Sequence, residues 1–169
     1  MTLDGRISQA WGGVNPNGVH LNILLAERGS PTAAAIATAF TSPTAGFTPI
    51  LVCVGEDQPS YETVHPPTVM LNKTASATEE HELLVAGACQ VGIAQGVLDA
   101  AADGLLTADQ KTLVFVAVWL APDANAGSQV RAAAREAMRK GVREAVQGHD
   151  AAARLVSDRD SLTHPFYAP

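Results

Sequence analysis

From Val19 to Leu25 the side chains alternate in the way a half-buried strand requires: Val19, Leu21, Ile23 and Leu25 point one way, His20, Asn22 and Leu24 the other. Ser30-Pro31 supplies an N-cap residue followed by proline at the first helical position, so Thr32 to Phe40, rich in alanine, is predicted as a helix. Pro43 and Gly46 punctuate the next loop. Ile50 to Val54 is a short continuous apolar run, predicted as a buried strand, and Gly55 to Pro67, with three prolines, is predicted as loop. Thr68 to Asn72 is a further strand. Ser76-Ala77-Thr78-Glu79 matches a capping box and opens a long predicted helix to about Asp103. Inside it Ala88, Gly92 and Gly96 recur every four residues. Glycine costs roughly 1 kcal/mol against alanine in a helix interior, and close approach of another backbone is the simplest compensation.

Gly104 ends that helix, and Thr107 to Gln110 is predicted to cap a short helical turn. Leu113 to Leu120 is a strand apolar on both faces, which needs a helix layer on one side and makes the other a candidate contact with another subunit. The last helix, Ser128 to Gln147, carries Val130, Ala134, Ala137, Met138, Val142, Ala145 and Val146 on one stripe. The order is strand, helix, strand, strand, helix, strand, helix. That is an α+β, two-layer arrangement, and residues 1–169 are read as one domain.

Composition narrows the class. Aromatics are 5% against 47% hydrophobic residues overall, so the core must be built from Ala, Val, Leu and Ile. A formal charge of -6 argues against a generic nucleic-acid binder, whose phosphate affinity rests on clustered Lys and Arg. Cys53 and Cys89 both sit in apolar stretches and read as inert thiols in a reducing compartment. Met1 to Arg6 has no apolar leader core, and later apolar stretches carry polar breaks, so the expectation is a cytoplasmic protein without a membrane span.

Several residues could carry chemistry. His20 and Asn22 share the non-core face of the first predicted strand; they are either solvated polar residues or an acid–base site, since a histidine near neutral pKa can give a proton to a leaving hydroxyl. Lys73, at a strand end, is a solubility feature or a binder of an anionic or carbonyl group. Gln90 lies among small apolar neighbours, which predicts a partly buried, hydrogen-bonded amide. Arg131, Arg135, Arg139 and Arg143 form a row at spacing four, where like charges repel. A solvated face is the plain reading; a subunit contact or an acidic ligand tail is the sharper one. No zinc spacing, phosphate-cradling loop or nucleophile elbow is present, and the five histidines are scattered, which argues against a metal site.

Taken in order, these residues resemble the formaldehyde-activating enzymes of methylotrophic bacteria and methanogenic archaea. The similarity runs in islands: the histidine strand leading into Arg28-Gly29-Ser30-Pro31, Ala39-Phe40, Gly46-Phe47-Thr48, and Pro67-Thr68-x-Met70-x-Asn72-Lys73. Gln90-x-Gly92-Ile93-Ala94-x-x-Val97-x-Asp99-Ala100 follows, then Gly104, Ala108-Asp109 and finally His164-Pro165-Phe166. The resemblance implies a fold related to the second domain of ribosomal protein S5 with a left-handed βαβ crossover. It also implies a homopentamer with active sites between subunits, and a metal-free hydro-lyase of one-carbon metabolism. Such a lyase condenses formaldehyde with tetrahydromethanopterin, a co-substrate, to methylene-tetrahydromethanopterin and water. By motif, the catalytic histidine falls on His20, and substrate contacts fall on Asn22, Leu51, Lys73, Ala75 and Gln90.

Two positions depart from the family pattern: an aspartate is replaced by Asn22 and a threonine by Ala75. The family's Pro-Ala-Gln reads Ala88-Cys89-Gln90, and the loop from Gly55 to Pro67 is longer. The acid machinery is kept while part of the pterin-holding set is altered. Three functions follow: the lyase acting on tetrahydromethanopterin, a paralogue using another amine or reduced pterin, and a non-catalytic binder of pterins or formaldehyde adducts. Retention of His20, Lys73 and Gln90 favours an enzyme; Asn22 and Ala75 favour a changed amine.

Overall fold

The computed structural model describes residues 2–76, 78–149, 151–165 and 167. Ala77, within the anticipated capping box, and Phe166, of the last island, lie outside them. The chain is α+β, built on a mixed five-stranded sheet of order β1-β2-β7-β6-β3. Its strands are β1 (Arg6–Gly12), β2 (Val19–Glu27), β3 (Ile50–Leu51), β6 (Thr68–Asn72) and β7 (Thr112–Leu120). β1, β2 and β7 pair antiparallel, β7 and β6 parallel, and β6 and β3 antiparallel. A helical stretch between β6 and β7 makes the βαβ unit that parallel neighbours require. It consists of α2 (Glu79–Leu83), a π-helical turn (Leu84–Cys89) and α3 (Gln90–Ala102).

That stretch and α4 (Gly127–Gln147) cover one face of the sheet. Val19, Leu21, Ile23 and Leu25 meet Val114, Val116, Val118 and Leu120 beneath Ile93, Val97, Val130, Met138 and Val142, all fully buried. Although Glu79–Ala102 is long and apolar enough to cross a membrane, its Ile93, Val97 and Ala100 are spent on this core. The opposite face is covered at one end by α1 (Pro31–Thr41), whose Ala33 and Ile36 pack on Leu24, Ala26, Leu113 and Phe115. Ser30 caps α1 by accepting from the Ala33 N–H at 3.0 Å, as the Ser-Pro pair predicts.

The expected glycine contact is present. A Cβ on Gly92 would run into the Arg131 carbonyl and lie 2.7 Å from the Ala134 Cβ, and one on Gly96 would lie 2.5 Å from the Met138 Cβ. In a free helix Gly92→Ala would be favourable by roughly 1 kcal/mol. Here overpacking reverses the sign, and the variant is expected to be destabilised by about 1–3 kcal/mol in a denaturant titration. A stabilised variant would show that α3 and α4 do not touch at this point.

Five readings are corrected. β1 is a strand that alternation did not reveal, because its inward positions are Ser8, Ala10 and Gly12. These are small so that α4 can lie close: the Ser8 hydroxyl donates to the Gly141 carbonyl at 2.7 Å, and a Cβ on Gly12 would strike the Ala133 carbonyl. The run Ile50 to Val54 is split rather than one strand. The Val52 N–H donates to Thr68 while the Val52 carbonyl accepts from Val64, so the chain changes partners there. β3 pairs with β6, whereas β4 (Cys53–Val54) pairs with β5 (Glu62–Thr63), inside the predicted loop.

Thr78, not Ser76, caps α2, accepting from the His81 N–H at 3.1 Å. The Ser76 hydroxyl instead accepts from the Asn72 amide. No helical turn forms at Thr107 to Gln110, where the Asp109 side chain takes the Lys111 N–H at 2.7 Å. Beyond α4, α5 (Ala151–Ser157) is followed by a 3-10 turn (Arg159–Ser161).

Candidate active site

The end of the sheet face that α1 leaves open is where the polar residues of β2 emerge. Strand register orders them into rows. Trp11 of β1, His20 of β2 and Trp119 of β7 lie side by side; Gln9, Asn22 and Ala117 form the next row, with Leu71 beyond. Lys73 follows the end of β6, held by its N–H on the Val118 carbonyl at 2.8 Å. The lysine side chain crosses β7 and reaches β2. Its Nζ lies 2.5 Å from His20 Nδ1 and 3.1 Å from Asn22 Oδ1. On the other side of the ring, His20 Nε2 lies 2.9 Å from Gln9 Oε1.

The Trp11 ring centre is 6.1 Å from that of His20 and 5.6 Å from that of Trp119, at tilted angles that suit aromatic contacts. Together with Asn15, His164 and Pro165 these residues line a cleft of about 590 Å³. Its walls are mainly apolar with a few convergent polar groups, the usual make-up of a small-molecule site. The closing island of the resemblance, His164-Pro165, is thereby brought to the histidine.

Charge follows environment. Burial, and then the Lys73 charge, hold the His20 pKa below the usual imidazole value. Burial alone pushes Lys73 down to about 8. An ammonium has three donors and no acceptor, so with Lys73 charged His20 Nδ1 must accept. A neutral imidazole then carries its proton on Nε2, donated to the Gln9 carbonyl oxygen.

The other candidate residues lie elsewhere in the same chain. Leu51 is half-buried on β3, opposite Val69 and in the row of Phe115 and Leu24. Ala75 lines a separate cleft of about 310 Å³ with Gly46, Thr48 and Asn72, so the Gly-Phe-Thr and Asn-Lys islands meet there. Gln90 is partly buried and hydrogen-bonded, as its neighbours predict: its Oε1 accepts from the Cys53 N–H at 3.0 Å and its Nε2 donates to the Ala86 carbonyl at 2.5 Å. Cys89 is buried and its thiol pushed up to about 12, but Cys53 is only half-buried.

The arginine row is exposed but paired. Arg135 holds Asp99 in a two-pronged bond at 2.6 and 2.7 Å. Arg139 reaches Asp99 at 3.6 Å and Asp103 at 3.9 Å; Arg143 reaches Asp103 at 3.7 Å, and Arg131 donates to Gln95 at 3.2 Å. The repulsion along α4 is thus offset by a matching row on α3.

Among the described residues, no three His, Cys, Asp or Glu side chains gather as a metal site would need. Gln9 and Trp11 were missed in the sequence. Their signal was the outward set Ile7, Gln9 and Trp11 at period two, masked by the small residues between them.

The cleft thus brings a histidine and a lysine into contact on an open sheet face. The profile of the formaldehyde-activating enzyme family matches residues 8–167, and the chain belongs to that family of lyases. It is 27% identical over 166 residues to a 5,6,7,8-tetrahydromethanopterin hydro-lyase of Methanosarcina barkeri, covering 97% of this chain and 91% of the relative. It is 24% identical over 166 residues to a bifunctional enzyme Fae/Hps of Archaeoglobus fulgidus, and 22% over 161 residues to one of Methanothrix thermoacetophila. Those alignments cover 97% and 94% of this chain but 41% and 40% of the relatives, so the chain spans less than half the length of the bifunctional proteins.

Proposed function

We propose that this protein is a cytoplasmic lyase that condenses formaldehyde with tetrahydromethanopterin, releasing water, and that His20 delivers the proton to the departing oxygen. The meeting of His20 and Lys73 in one cleft, with Asn22 bonded to the same lysine, is the observation that carries this reading. A secondary ring amine adds to formaldehyde to give a carbinolamine, and expulsion of hydroxide from it is slow without an acid. His20 is half-buried and lines the cleft, where a bound hydroxyl could reach its ring. The two tryptophans offer apolar surface against which a flat heterocycle can settle. Formaldehyde reacts with such amines unaided, so positioning and one proton donor supply what is needed. The test is the rate of methylene-tetrahydromethanopterin formation from formaldehyde and tetrahydromethanopterin beside a no-protein control. A rate equal to the control would end this reading.

A second reading is a related amine or reduced pterin as the acceptor, favoured by the neutral Asn22 where the resemblance implies an aspartate. The same assay with other reduced pterins separates the two, and binding without acceleration of any of them would leave a non-catalytic binder.

The site also reads as shared between subunits. Among the described residues Leu51, Ala75 and Gln90 do not line the His20 cleft, and they would complete the pterin pocket of a neighbouring copy. Ile7 and Trp11, on the same open face, are 73% and 39% exposed, which leaves apolar surface for such a neighbour. A homopentamer is the expected assembly, with a left-handed crossover in the βαβ unit as in the fold related to ribosomal protein S5. Light scattering after gel filtration should give five copies; a monomer at micromolar concentration would remove the shared site.

A further inference from the structure

His20 is engaged at both nitrogens, and the two partners differ in kind. Lys73 can only donate while charged, and the Gln9 carbonyl oxygen can only accept. The proton that His20 shows to the cleft is therefore on Nε2, while Nδ1 is joined to a second proton carrier. Around the pair, β1 presents Gln9 and Trp11 and β7 presents Trp119, none of them titratable in the neutral range; Asn22 is neutral, and His164 is the further titratable group lining the cleft.

We propose that the proton consumed in water loss is stored on Lys73 and passed through His20, with Gln9 as the positioning residue that keeps Nε2–H aimed into the cleft. The proposal rests on the lyase reading and deepens it. In the step, a carbinolamine hydroxyl displaces Gln9 as acceptor and takes the Nε2 proton. The C–O bond breaks with its electron pair on oxygen, which leaves as water, and the amine nitrogen lone pair forms the C=N bond of the iminium ion. An Nζ proton moves to Nδ1. Lys73 ends as a neutral amine, His20 as the neutral Nδ1–H form, and the positive charge has passed to the iminium. Ring closure by the second amine releases one proton, which returns to Nε2 as the Nδ1 proton goes back to Lys73. The short Lys73–His20 contact makes the transfer direct, and the burial that brings Lys73 down to about 8 leaves its proton available without emptying the store at neutral pH. His20, held below its usual value, would hold too little of that proton itself.

The experiment has two arms. In the first, protein labelled with nitrogen-15 histidine is followed by NMR without substrate, the His20 signal being identified by its loss in His20→Gln. At neutral pH the ring should be neutral, protonated on Nε2 and bare on Nδ1. Lys73→Met should release that preference, and Gln9→Glu should move formation of the imidazolium to higher pH; Gln9 is exposed, so the fold tolerates the change. An imidazolium, or an Nδ1–H ring, in the native protein would overturn the relay.

In the second arm kcat with formaldehyde and tetrahydromethanopterin is measured against pH. Lys73 is protonated below about 8, so kcat should fall as pH rises through that value. Lys73→Arg keeps charge and donors but cannot release its proton; it should lose about 100-fold in kcat with KM little changed. Gln9→Leu should lose about tenfold or more through misaim alone. An arginine variant as fast as the native protein would overturn storage on Lys73 while leaving the lyase reading intact. The expected NMR result without any acceleration would overturn the lyase reading and the relay with it, leaving only the tautomer assignment.

Discussion

His20→Ala is expected to remove most of the acceleration, about 100- to 10,000-fold, the usual worth of a placed proton donor. The melting temperature should barely move, because the ring lies on the sheet face away from the core, between Trp11 and Lys73. Leu21 and Val19, its chain neighbours, carry the packing on the other face. The assay is run with a melting curve on the same sample. A folded variant with an undiminished rate would take His20 out of the reaction.

The second large effect is expected at Asn22. Asparagine and aspartate have nearly the same shape, but the amide is neutral and offers a donor where a carboxylate only accepts. A fixed negative charge aimed at a developing iminium is worth roughly 3 kcal/mol, about a hundredfold in rate, in a cleft that excludes water. Asn22→Asp should therefore speed methylene-tetrahydromethanopterin formation, and His20→Ala in that background should erase the gain. Asn22 is exposed in the single chain, so the full gain is expected only where a second subunit closes the site. The structure adds a second consequence: Asn22 Oδ1 already accepts from Lys73 at 3.1 Å, and a carboxylate there would hold the ammonium. The pH at which activity falls should rise above about 8, towards the ordinary lysine range. A slower Asn22→Asp variant would show that the native amide is not tuned to a different amine.

What the sequence disclosed follows from which residues do two jobs. β2 was legible because large aliphatics alternate with polar residues, and α4 because its stripe is continuous. β1 was not, since closeness to α4 requires Ser8, Ala10 and Gly12 where a strand ordinarily shows bulk. Gln90 was legible as a bonded, half-buried amide from its small neighbours; that its partner is the Cys53 N–H depends on the break at Val52, which no local pattern marks. The partners of the arginine row were in view, since Gln95, Asp99 and Asp103 share its spacing of four, but only helix packing tells which two rows face. The meeting of His20 and Lys73 was hidden most deeply, because it depends on strand order: β2 and β6 are not neighbours, and β7 runs between them.

That intervening strand makes the site depend on pairing. Lys73 spans two strand spacings, each about 4.8 Å, to reach His20 across β7. Sliding β6 by a single residue along β7 would turn Lys73 to the helix-covered face. The reactivity of this site is thus a gauge of sheet alignment: the two bases speak to each other only while the parallel pair is in register.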